Sequence, residues 1–426
     1  MPDTGLRSET LPLQETRLPE VVVIGLGYVG RPLAIEAAAA GFPVTGYDRD
    51  AAAVSAAAAE ASGAGPMRGR LAVTADAAAL PAGDVWLVCV PTPLDVAGQP
   101  DLSAVADALE TCRRHMAPGA LVCLVSTCQP GATNGLCRRI LERDGLRVGR
   151  DVFLAVSPER ENPGPGALGP RHIPRLLGAP DEASLARARA FWERVTDRIV
   201  CVETPEIAEC AKLLENTYRL VNIALMDELH RAFTALGVPT RAVVEAAATK
   251  PFGFAPFWPG LGAGGHCIPV DPAYLQMEAW RAGAPSRLLE AALAANRARP
   301  GRVLGAIVAA FGGSVRERRI LVAGVTYKPD VADIRGAAPV ALIRGLAACG
   351  AAVAWWDPLL AETPPELADV PRMTAFIEGG AGAPEAVVLG TPHAALPLER
   401  LACLAPLVFD PFGLVSRGAS RGLRVV

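Results

Sequence analysis

The chain has 426 residues, of which 51% are hydrophobic and 20% are charged, and its formal net charge is −3. This length predicts two or three domains, and the nearly balanced charge argues against nucleic acid as a partner. No apolar run reaches the roughly 18 residues that a membrane span requires, so we expect a soluble protein with no membrane partner.

The first residues and the cysteines bear on the cellular location. Residues 1–19 are polar and contain prolines, which predicts a flexible tail and not a signal peptide. The ten cysteines include no CxxC pair, and no group of four ligands has the spacing of a zinc finger. We therefore expect a cytoplasmic protein with reduced thiols and no metal.

A GxGxxG fingerprint at residues 25–30 follows the first predicted strand and leads into an alanine-rich helix pattern. Such glycines permit a tight turn and bring a dinucleotide pyrophosphate close to the helix N-terminus. Asp48 ends the next predicted strand. Because a carboxylate accepts a hydrogen bond from the ribose 2′-hydroxyl and repels a 2′-phosphate, it favours NAD over NADP, a preference that Arg49 weakens.

Further strands alternate with helical patterns, first at residues 85–91, 121–127 and 152–156 and again in the C-terminal part from residue 320 to 410. This alternation is typical of parallel, doubly wound sheets. We predict an α/β protein in which two Rossmann-like doubly wound domains are joined by a long central helix and a helical connector. The predicted divisions are a tail at 1–19, a cofactor domain at 20–203, a central domain at 204–302 and a second Rossmann-like domain at 303–426.

The central helix is predicted from Pro205 to Leu236, because apolar residues recur along it at helical spacing. Lys212 and Asn216 are four residues apart and so lie on one face. An ammonium and a carboxamide side by side can stabilise a developing oxyanion, although a solvated helix face is the ordinary alternative. The chain contains only three lysines, and this rarity favours the functional interpretation.

The segment 259–272 is rich in glycine and proline and contains Cys267, followed four residues later by Asp271. A thiol on a glycine-rich loop beside an acid is typical of a nucleophile. His266 precedes the cysteine, but neighbouring side chains in an extended loop point apart, so we do not expect it to act in catalysis. The other four histidines are expected to be structural or exposed.

Two more polar clusters follow predicted strands. Ser157-Pro-Glu159-Arg160 comes after the strand at 152–156, and a segment from Tyr327 to Arg335 comes after the first strand of the C-terminal unit. Ligands of parallel sheets bind at the carboxyl ends of the strands. Either cluster alone could be loop charge, and together with the cysteine loop they predict a site.

Seven motifs occur in the order GLGYVG, VPTP, VSTCQPG, SPER, KLLENTYR, GGHCIPVDP and YKPDVADIR. In these motifs the chain resembles the UDP-glucose/GDP-mannose dehydrogenase family from about residue 20 to about 415. The run from Lys250 to Gly260 is similar to the branch that oxidises UDP-N-acetylhexosamines. The resemblance implies oxidation of a sugar C6 hydroxymethyl group to the acid with two NAD per sugar, through a thiohemiacetal and a thioester on Cys267.

The resemblance also implies roles for single residues. Lys212 and Asn216 would support the oxyanion, Asp271 would order water and assist proton transfer, and Glu159 would act in thioester hydrolysis. The implied catalytic set is Cys267, Lys212, Asn216, Asp271, Glu159 and Thr127. The implied cofactor-binding set is Gly25, Gly27, Tyr28, Val29, Gly30, Asp48, Arg49, Val90, Thr92, Thr127 and Arg335. The implied substrate-binding set is Glu159, Arg160, Lys212, Asn216, Phe257, Gly264 and Lys328.

The chain departs from the family pattern at five positions, and each leaves substrate preference open: Glu161, Asp227, Leu261, Gly336 and Ala337. The alternatives are a UDP-glucose 6-dehydrogenase that makes UDP-glucuronate, a Rossmann hydroxyacid dehydrogenase that transfers a single hydride, and a nucleotide-binding regulatory or scaffold protein. The expected partner is a UDP-sugar. The family resemblance also predicts a homodimer or higher homo-oligomer.

Overall fold

The computed structural model describes residues 17–61, 70–162, 164–166, 168–374, 376, 382–416 and 422–426. Most of the predicted tail at 1–19 lies outside these ranges. The strands are β1 Val21–Ile24, β2 Val44–Tyr47, β3 Leu71–Thr74, β4 Gly83–Val88, β5 Met116–Leu124, β6 Phe153–Val156, β7 Arg175–Leu177, β8 Ile199–Cys201, β9 Arg319–Ala323, β10 Ala352–Trp356, β11 Ala386–Leu389, β12 Leu407–Asp410 and β13 Leu423–Val425. The α-helices are α1 Gly30–Ala39, α2 Ala51–Ala61, α3 Ser103–His115, α4 Arg138–Leu141, α5 Glu182–Val195, α6 Pro205–Ala235, α7 Thr240–Ala248, α8 Asp271–Arg281, α9 Arg287–Ala310, α10 Ala338–Ala348 and α11 Leu398–Leu404.

The N-terminal sheet has six strands in the order β3-β2-β1-β4-β5-β6, and every adjacent pair is parallel. Its central strands are continuous apolar runs because helices cover both faces. Val21 packs in the core on one face and Val22 in the core on the other, and both are fully buried. The strand order reverses between β1 and β4, which places a ligand crevice at the carboxyl ends of these two strands.

The C-terminal sheet has five parallel strands in the order β10-β9-β11-β12-β13. It too has cores on both faces. The predicted α/β class, with two Rossmann-like sheets joined by a long helix, is confirmed. A small parallel pair, β7 with β8, was not predicted. The boundaries of the three predicted domains stay predictions.

Helix α6 is 31 residues long and begins at Pro205 as predicted, and its buried face combines apolar residues such as Leu213 and Leu220 with polar ones. Lys212 and Asn216 lie on the buried face, whereas Ile207, Leu214 and Leu225 are exposed. The helix packs against α8 and α9. The side of α6 that faces the protein interior therefore carries polar groups. None of the helices in the described residues is both long and apolar enough to cross a membrane.

Candidate active site

The glycine turn after β1 has the geometry of a dinucleotide site. Gly25 has φ +93°, and a Cβ there would lie 2.5 Å from the backbone oxygen of Cys89. A Cβ on Gly30 would collide with the backbone oxygen of Gly25, whereas one on Gly27 would meet nothing within 4 Å. The first and third glycines are thus required by packing, and the second leaves open space for a pyrophosphate.

Asp48 lies directly after β2, next to this turn. Its Oδ2 accepts a hydrogen bond from the Leu26 amide at 2.8 Å, and its Oδ1 accepts one from the Asp50 amide at 2.9 Å. The residue is only half-buried, whereas Arg49 is exposed. The carboxylate is therefore fixed at the strand end with an accessible side, which is the placement required to bind a ribose hydroxyl.

The other predicted cofactor residues lie around the same crevice. Tyr28 is 44% exposed, and the Arg335 guanidinium of the C-terminal unit lies 5.4 Å from the centre of its ring. Val29 immediately precedes α1. Val90 and Thr92 follow β4, and the Tyr274 hydroxyl donates to the Thr92 carbonyl at 3.0 Å. The crevice is thus bordered by the N-terminal sheet, helix α8 and the segment that ends at Arg335.

The Cys267 loop lies against the C-terminal unit. Gly264 and Gly265 pack so closely that a Cβ on them would lie 2.6 Å from the Gly336 oxygen and from the Tyr327 ring, respectively. Gly336, where the family pattern has a side chain, has φ +62° and accepts a hydrogen bond from the Gly265 amide at 3.3 Å. The departure at this position therefore fits the close approach of the two loops.

The Cys267 thiol is not ionised in advance. Cys267 keeps solvent-accessible surface, but the surrounding protein desolvates the thiol and, together with the Asp271 carboxylate, raises its pKa to about 11. Lys212 and Lys328 act in the opposite direction. Since a thiolate is the nucleophilic form, a nucleophilic attack by Cys267 would require a nearby base to take the thiol proton.

Lys212 and Glu159 form a buried pair. The Lys212 Nζ lies 3.6 Å from the Glu159 Oε2, and the two residues are only 5% and 8% exposed. Burial opposes the charge of Lys212, but the carboxylates of Glu159 and Asp271 outweigh it and raise the lysine pKa. Burial also raises the pKa of Glu159, with Lys212 acting against it. The ammonium is therefore cationic at neutral pH.

Asn216 and Asp271 complete this cluster. The Asn216 Nδ2 donates to the Asp271 Oδ2 at 2.6 Å, and the Asp271 amide donates to the Cys267 carbonyl at 2.9 Å. Burial raises the pKa of Asp271 to about 6, although Lys212 lowers it. The face of α6 that carries Lys212 is thus not a solvated one. Five of the six predicted catalytic residues, all except Thr127, thus meet where α6, the loop after β6 and the start of α8 come together.

Three further residues predicted for the site, Arg160, Phe257 and Thr127, have different surroundings. Arg160 donates to both oxygens of Glu215 and, at 2.7 Å, to the Pro174 carbonyl, so its guanidinium is occupied by protein groups. Phe257 packs edge-on against Tyr218 with ring centres 5.8 Å apart. Thr127 is half-buried in the loop after β5. The roles of these residues stay predictions.

Lys328 bridges two loops of the site. Its Nζ donates to the Asn162 Oδ1 at 3.1 Å, just beyond the SPER motif. Burial and the Arg219 guanidinium lower the lysine pKa, and the Cys267 thiol interacts with it electrostatically. His266 beside the cysteine keeps solvent-accessible surface. The surrounding protein still desolvates its ring and, together with the Arg335 charge, lowers the pKa of His266. Lys328 is therefore one of the charges that act on the Cys267 thiol, whereas the charges that act on His266 are those of Arg335 and Asp333.

Sequence reasoning missed Arg175, the first residue of β7. Its side chain is 4% exposed, lies over the Trp192 ring and donates to the Ser157 hydroxyl at 3.0 Å. Burial raises the pKa of Glu159, an effect that Arg175 opposes, and burial raises the pKa of the neighbouring Glu161 to about 7. The sequence signal that could have identified Arg175 is a single cation next to the apolar residues of a short strand.

A second buried ion pair supports the start of the cysteine loop. Asp227 and Arg299 are each 1% exposed and their charged atoms lie 3.7 Å apart. Asp227 accepts from the Gly260 amide at 2.9 Å, and Arg299 donates to the Gly260 carbonyl at 2.8 Å. Leu261 is buried in the adjacent core. The departures at 227 and 261 are therefore structural. Within the described residues, no three His, Cys, Asp or Glu side chains are grouped as a metal site.

Three consecutive segments of the chain match the three domains of one family. Residues 19–196 match the NAD binding domain of the UDP-glucose/GDP-mannose dehydrogenase family, residues 206–298 match its central domain, and residues 321–417 match its UDP binding domain. The matches thus cover the N-terminal sheet, most of the helical segment that follows and most of the C-terminal sheet.

Individual relatives are similar over most of their length. A UDP-N-acetyl-D-glucosamine 6-dehydrogenase of Pseudomonas aeruginosa is 35% identical over 358 residues, covering 80% of this chain and 82% of the relative. The structure of a UDP-D-ManNAc dehydrogenase from Pyrococcus horikoshii has a TM-score of 0.82 at 28% identity, covering 96% of this chain and 99% of that chain. The structure of a UDP-glucose dehydrogenase from Pyrobaculum islandicum has a TM-score of 0.83 at 26% identity, covering 99% and 98%.

Proposed function

This chain belongs to the UDP-glucose/GDP-mannose dehydrogenase family, and we propose that it oxidises C6 of a UDP-N-acetylhexosamine to the carboxylate through a thioester on Cys267. It is an NAD-dependent UDP-sugar 6-dehydrogenase, as its NAD and UDP binding domains and its relatives indicate. The N-acetylhexosamine is favoured because the relatives include dehydrogenases of UDP-N-acetyl-D-glucosamine and UDP-N-acetyl-D-mannosamine. UDP-glucose remains the competing substrate.

The observation that carries the proposal is the grouping of Lys212, Glu159, Asn216 and Asp271 beside the loop of Cys267. An alcohol dehydrogenase that stops at the aldehyde needs no thiol. The aldehyde carbon can release a second hydride once a nucleophile has added to it. A cysteine thiol adds without removing the hydrogen from this carbon, and it later serves as the leaving group when water attacks the thioester.

Bound NAD supplies the hydride acceptor for both oxidations. In the first, the C6 hydroxyl loses its proton while C6 loses hydride, and the Lys212 ammonium stabilises the developing alkoxide. The Cys267 sulfur then bonds to C6 of the aldehyde, and the thiol proton passes to the carbonyl oxygen, giving a thiohemiacetal. Asp271 can mediate this transfer because a carboxyl group with a pKa of about 6 is mostly ionised at neutral pH.

In the second oxidation, C6 of the thiohemiacetal loses hydride and its hydroxyl loses a proton, which leaves a thioester. Water then attacks C6, the C–S bond breaks, and the sulfur recovers a proton. Glu159 is the carboxylate assigned to accept the proton of this water, and its salt bridge with Lys212 keeps it oriented. The net change is one hydroxymethyl group and one water converted to a carboxylate, with two hydrides transferred to two NAD and three protons released to solvent.

The stoichiometry of NADH tests the proposal. Purified enzyme given a limiting amount of UDP-GlcNAc, UDP-GalNAc, UDP-ManNAc or UDP-glucose should form two NADH per sugar consumed, fastest with one of the three N-acetylhexosamines. One NADH per sugar would exclude the thioester route. The fastest turnover with UDP-glucose would overturn the substrate assignment and leave the route intact.

We also propose a homodimer formed through α6. Ile207, Leu214, Tyr218 and Leu225 are 44–60% exposed along one side of this helix. Apolar residues at this spacing form a stripe that a second copy could cover. Sedimentation equilibrium should give twice the chain mass. The substitution Leu214→Glu, which places a charge on the stripe, should shift the equilibrium towards the monomer. A monomeric wild-type protein at micromolar concentration would contradict this assembly.

A further inference from the structure

The C-terminal unit repeats the cofactor turn of the N-terminal unit. Gly25 donates its amide to the Tyr47 carbonyl at 2.8 Å, and Gly324 donates to the Trp356 carbonyl at the same distance. Both glycines have positive φ, near +93° and +82°. By strand register, Asp357 therefore occupies in the second sheet the position that Asp48 has in the first.

The two aspartates are bonded in the same way but differ in access. Asp357 accepts from the Val325 amide at 2.7 Å and from the Leu359 amide at 2.9 Å, which matches the two amides that bind Asp48. However, Asp357 is only 2% exposed. Its open side is filled by the imidazole of His393, whose Nε2 lies 3.0 Å from the Asp357 Oδ2.

The strand register also identifies the counterpart of His393. Ile24 pairs with Val88 in the first sheet and Ala323 with Leu389 in the second. Counting four residues onward from each gives Thr92 and His393. A residue predicted to contact the cofactor in the first unit thus corresponds to a buried histidine in the second.

The other nitrogen of this imidazole supports the turn that carries Lys328. The Asp330 amide donates to the His393 Nδ1 at 2.9 Å. An amide can only donate, so Nδ1 is the acceptor and Nε2 carries the proton that is shared with Asp357. The Thr326 hydroxyl, which lies 3.2 Å from Nε2, donates to the Lys328 carbonyl at 2.9 Å. Asp330 has φ +60°, a conformation that costs energy for a non-glycine residue and has to be stabilised by its surroundings.

We propose that His393 is a positioning residue for Lys328: it fills the ribose-type site of the second unit and instead fixes the 326–330 turn, so that the lysine faces the nucleotide sugar. The inference rests on the proposed function and on the substrate-binding role that the family resemblance implies for Lys328. His393 is only 4% exposed, so its effect on the site is transmitted through the Asp330 amide and the Thr326 hydroxyl.

Two substitutions of similar shape test the roles of the Nδ1 and Nε2 atoms of His393 separately. In His393→Asn the amide oxygen lies near the position of Nδ1 and can still accept from Asp330. In His393→Gln the side-chain amide reaches the position of Nε2 and can donate to Asp357, but the Asp330 amide loses its partner. A buried donor left without an acceptor is expected to change binding about tenfold.

The experiment measures the Kd for UDP by calorimetry, the KM for the UDP-sugar and the Kd for NAD. His393→Gln should raise the first two about tenfold and leave the Kd for NAD unchanged, whereas His393→Asn should remain near wild type. In a Lys328→Ala background, His393→Gln should have no further effect on UDP binding. Equal effects of the two His393 variants, or a full effect of His393→Gln without Lys328, would overturn the inference.

Two controls keep the outcome decisive. Thermal unfolding shows whether the variants fold; if neither His393 variant does, Thr326→Val in the same cycle with Lys328→Ala takes their place, because it removes the bond to the Lys328 carbonyl. A wild-type protein that binds UDP but forms no NADH from any UDP-sugar would refute the proposed function. The UDP-binding cycle would still decide the role of His393.

Discussion

Replacing Lys212 by methionine tests the buried cluster most severely. The variant keeps much of the side-chain volume and removes the charge that lies 3.6 Å from the Glu159 carboxylate. Unit charges about 4 Å apart interact by about 4 kcal/mol at an effective dielectric of 20, so the loss of the ammonium is a large perturbation of the carboxylate. Because Lys212 is the main group that opposes the effect of burial on Glu159, we expect the pKa of Glu159 to rise when the ammonium is removed.

The sign of the pH effect follows from the same contacts. Lys212 is the main group that lowers the pKa of Glu159 and of Asp271, which burial raises. Without it, both carboxyl groups stay protonated to higher pH, so the acid limb of kcat should move upward. Loss of the cation beside the developing alkoxide should also lower kcat by about 10²–10³-fold at the pH optimum.

The assay is initial-rate NADH formation across the acid and neutral range, with Lys250→Met as the matched control. Lys250 is an exposed lysine that lies over the Phe252 ring at 4.9 Å, and its variant should keep the wild-type profile. An acid limb that does not move in Lys212→Met would show that the ammonium does not control the carboxylates. A loss of kcat below about tenfold would show that it does not stabilise the alkoxide.

Three more substitutions probe other parts of the molecule. Cys267→Ser should bind NAD normally and lose steady-state acid formation in a product assay; near-normal turnover would remove the thiol from the mechanism. Asp48→Ala should raise the KM for NAD more than that for the sugar in initial-rate measurements, and equal effects would mean that the ribose contact is wrongly assigned. Arg299→Met leaves the buried Asp227 unpaired and should cost about 3–5 kcal/mol in urea unfolding. The control Arg302→Met breaks a partly exposed pair with Glu228 and should cost less than about 1 kcal/mol, so equal losses would contradict the argument.

Local sequence signals predicted the parts of the fold that are strongly patterned. Strands such as β1 are apolar runs followed by glycine, and the 31-residue helix α6 begins at a proline. Strand β3 was missed because it is short and only partly buried, so its four residues have no clear apolar pattern. The pair of β7 and β8 was missed because each strand has only three residues.

The site was predictable where a motif is continuous and not where contacts join distant segments. The four-residue spacing of Lys212 and Asn216 fixes their common helix face. Nothing in the sequence indicates that this face is buried, because apolar residues such as Leu214 occupy the exposed side. Likewise, the sequence could not show that the Arg160 guanidinium pairs with Glu215, which lies on a different element. His393 had no local signal, since its partners Asp330 and Asp357 are far away in the chain.

The most direct measurement of the central claim is to capture the sulfur adduct. Glu159→Gln, given a UDP-N-acetylhexosamine and NAD and then quenched in acid, should carry the mass of the UDP-linked uronic acyl group on the peptide that contains Cys267. Hydroxylamine should release that mass, as it does for a thioester. A wild-type enzyme that forms two NADH per sugar, while the variant shows no adduct or shows it on another cysteine, would contradict the account.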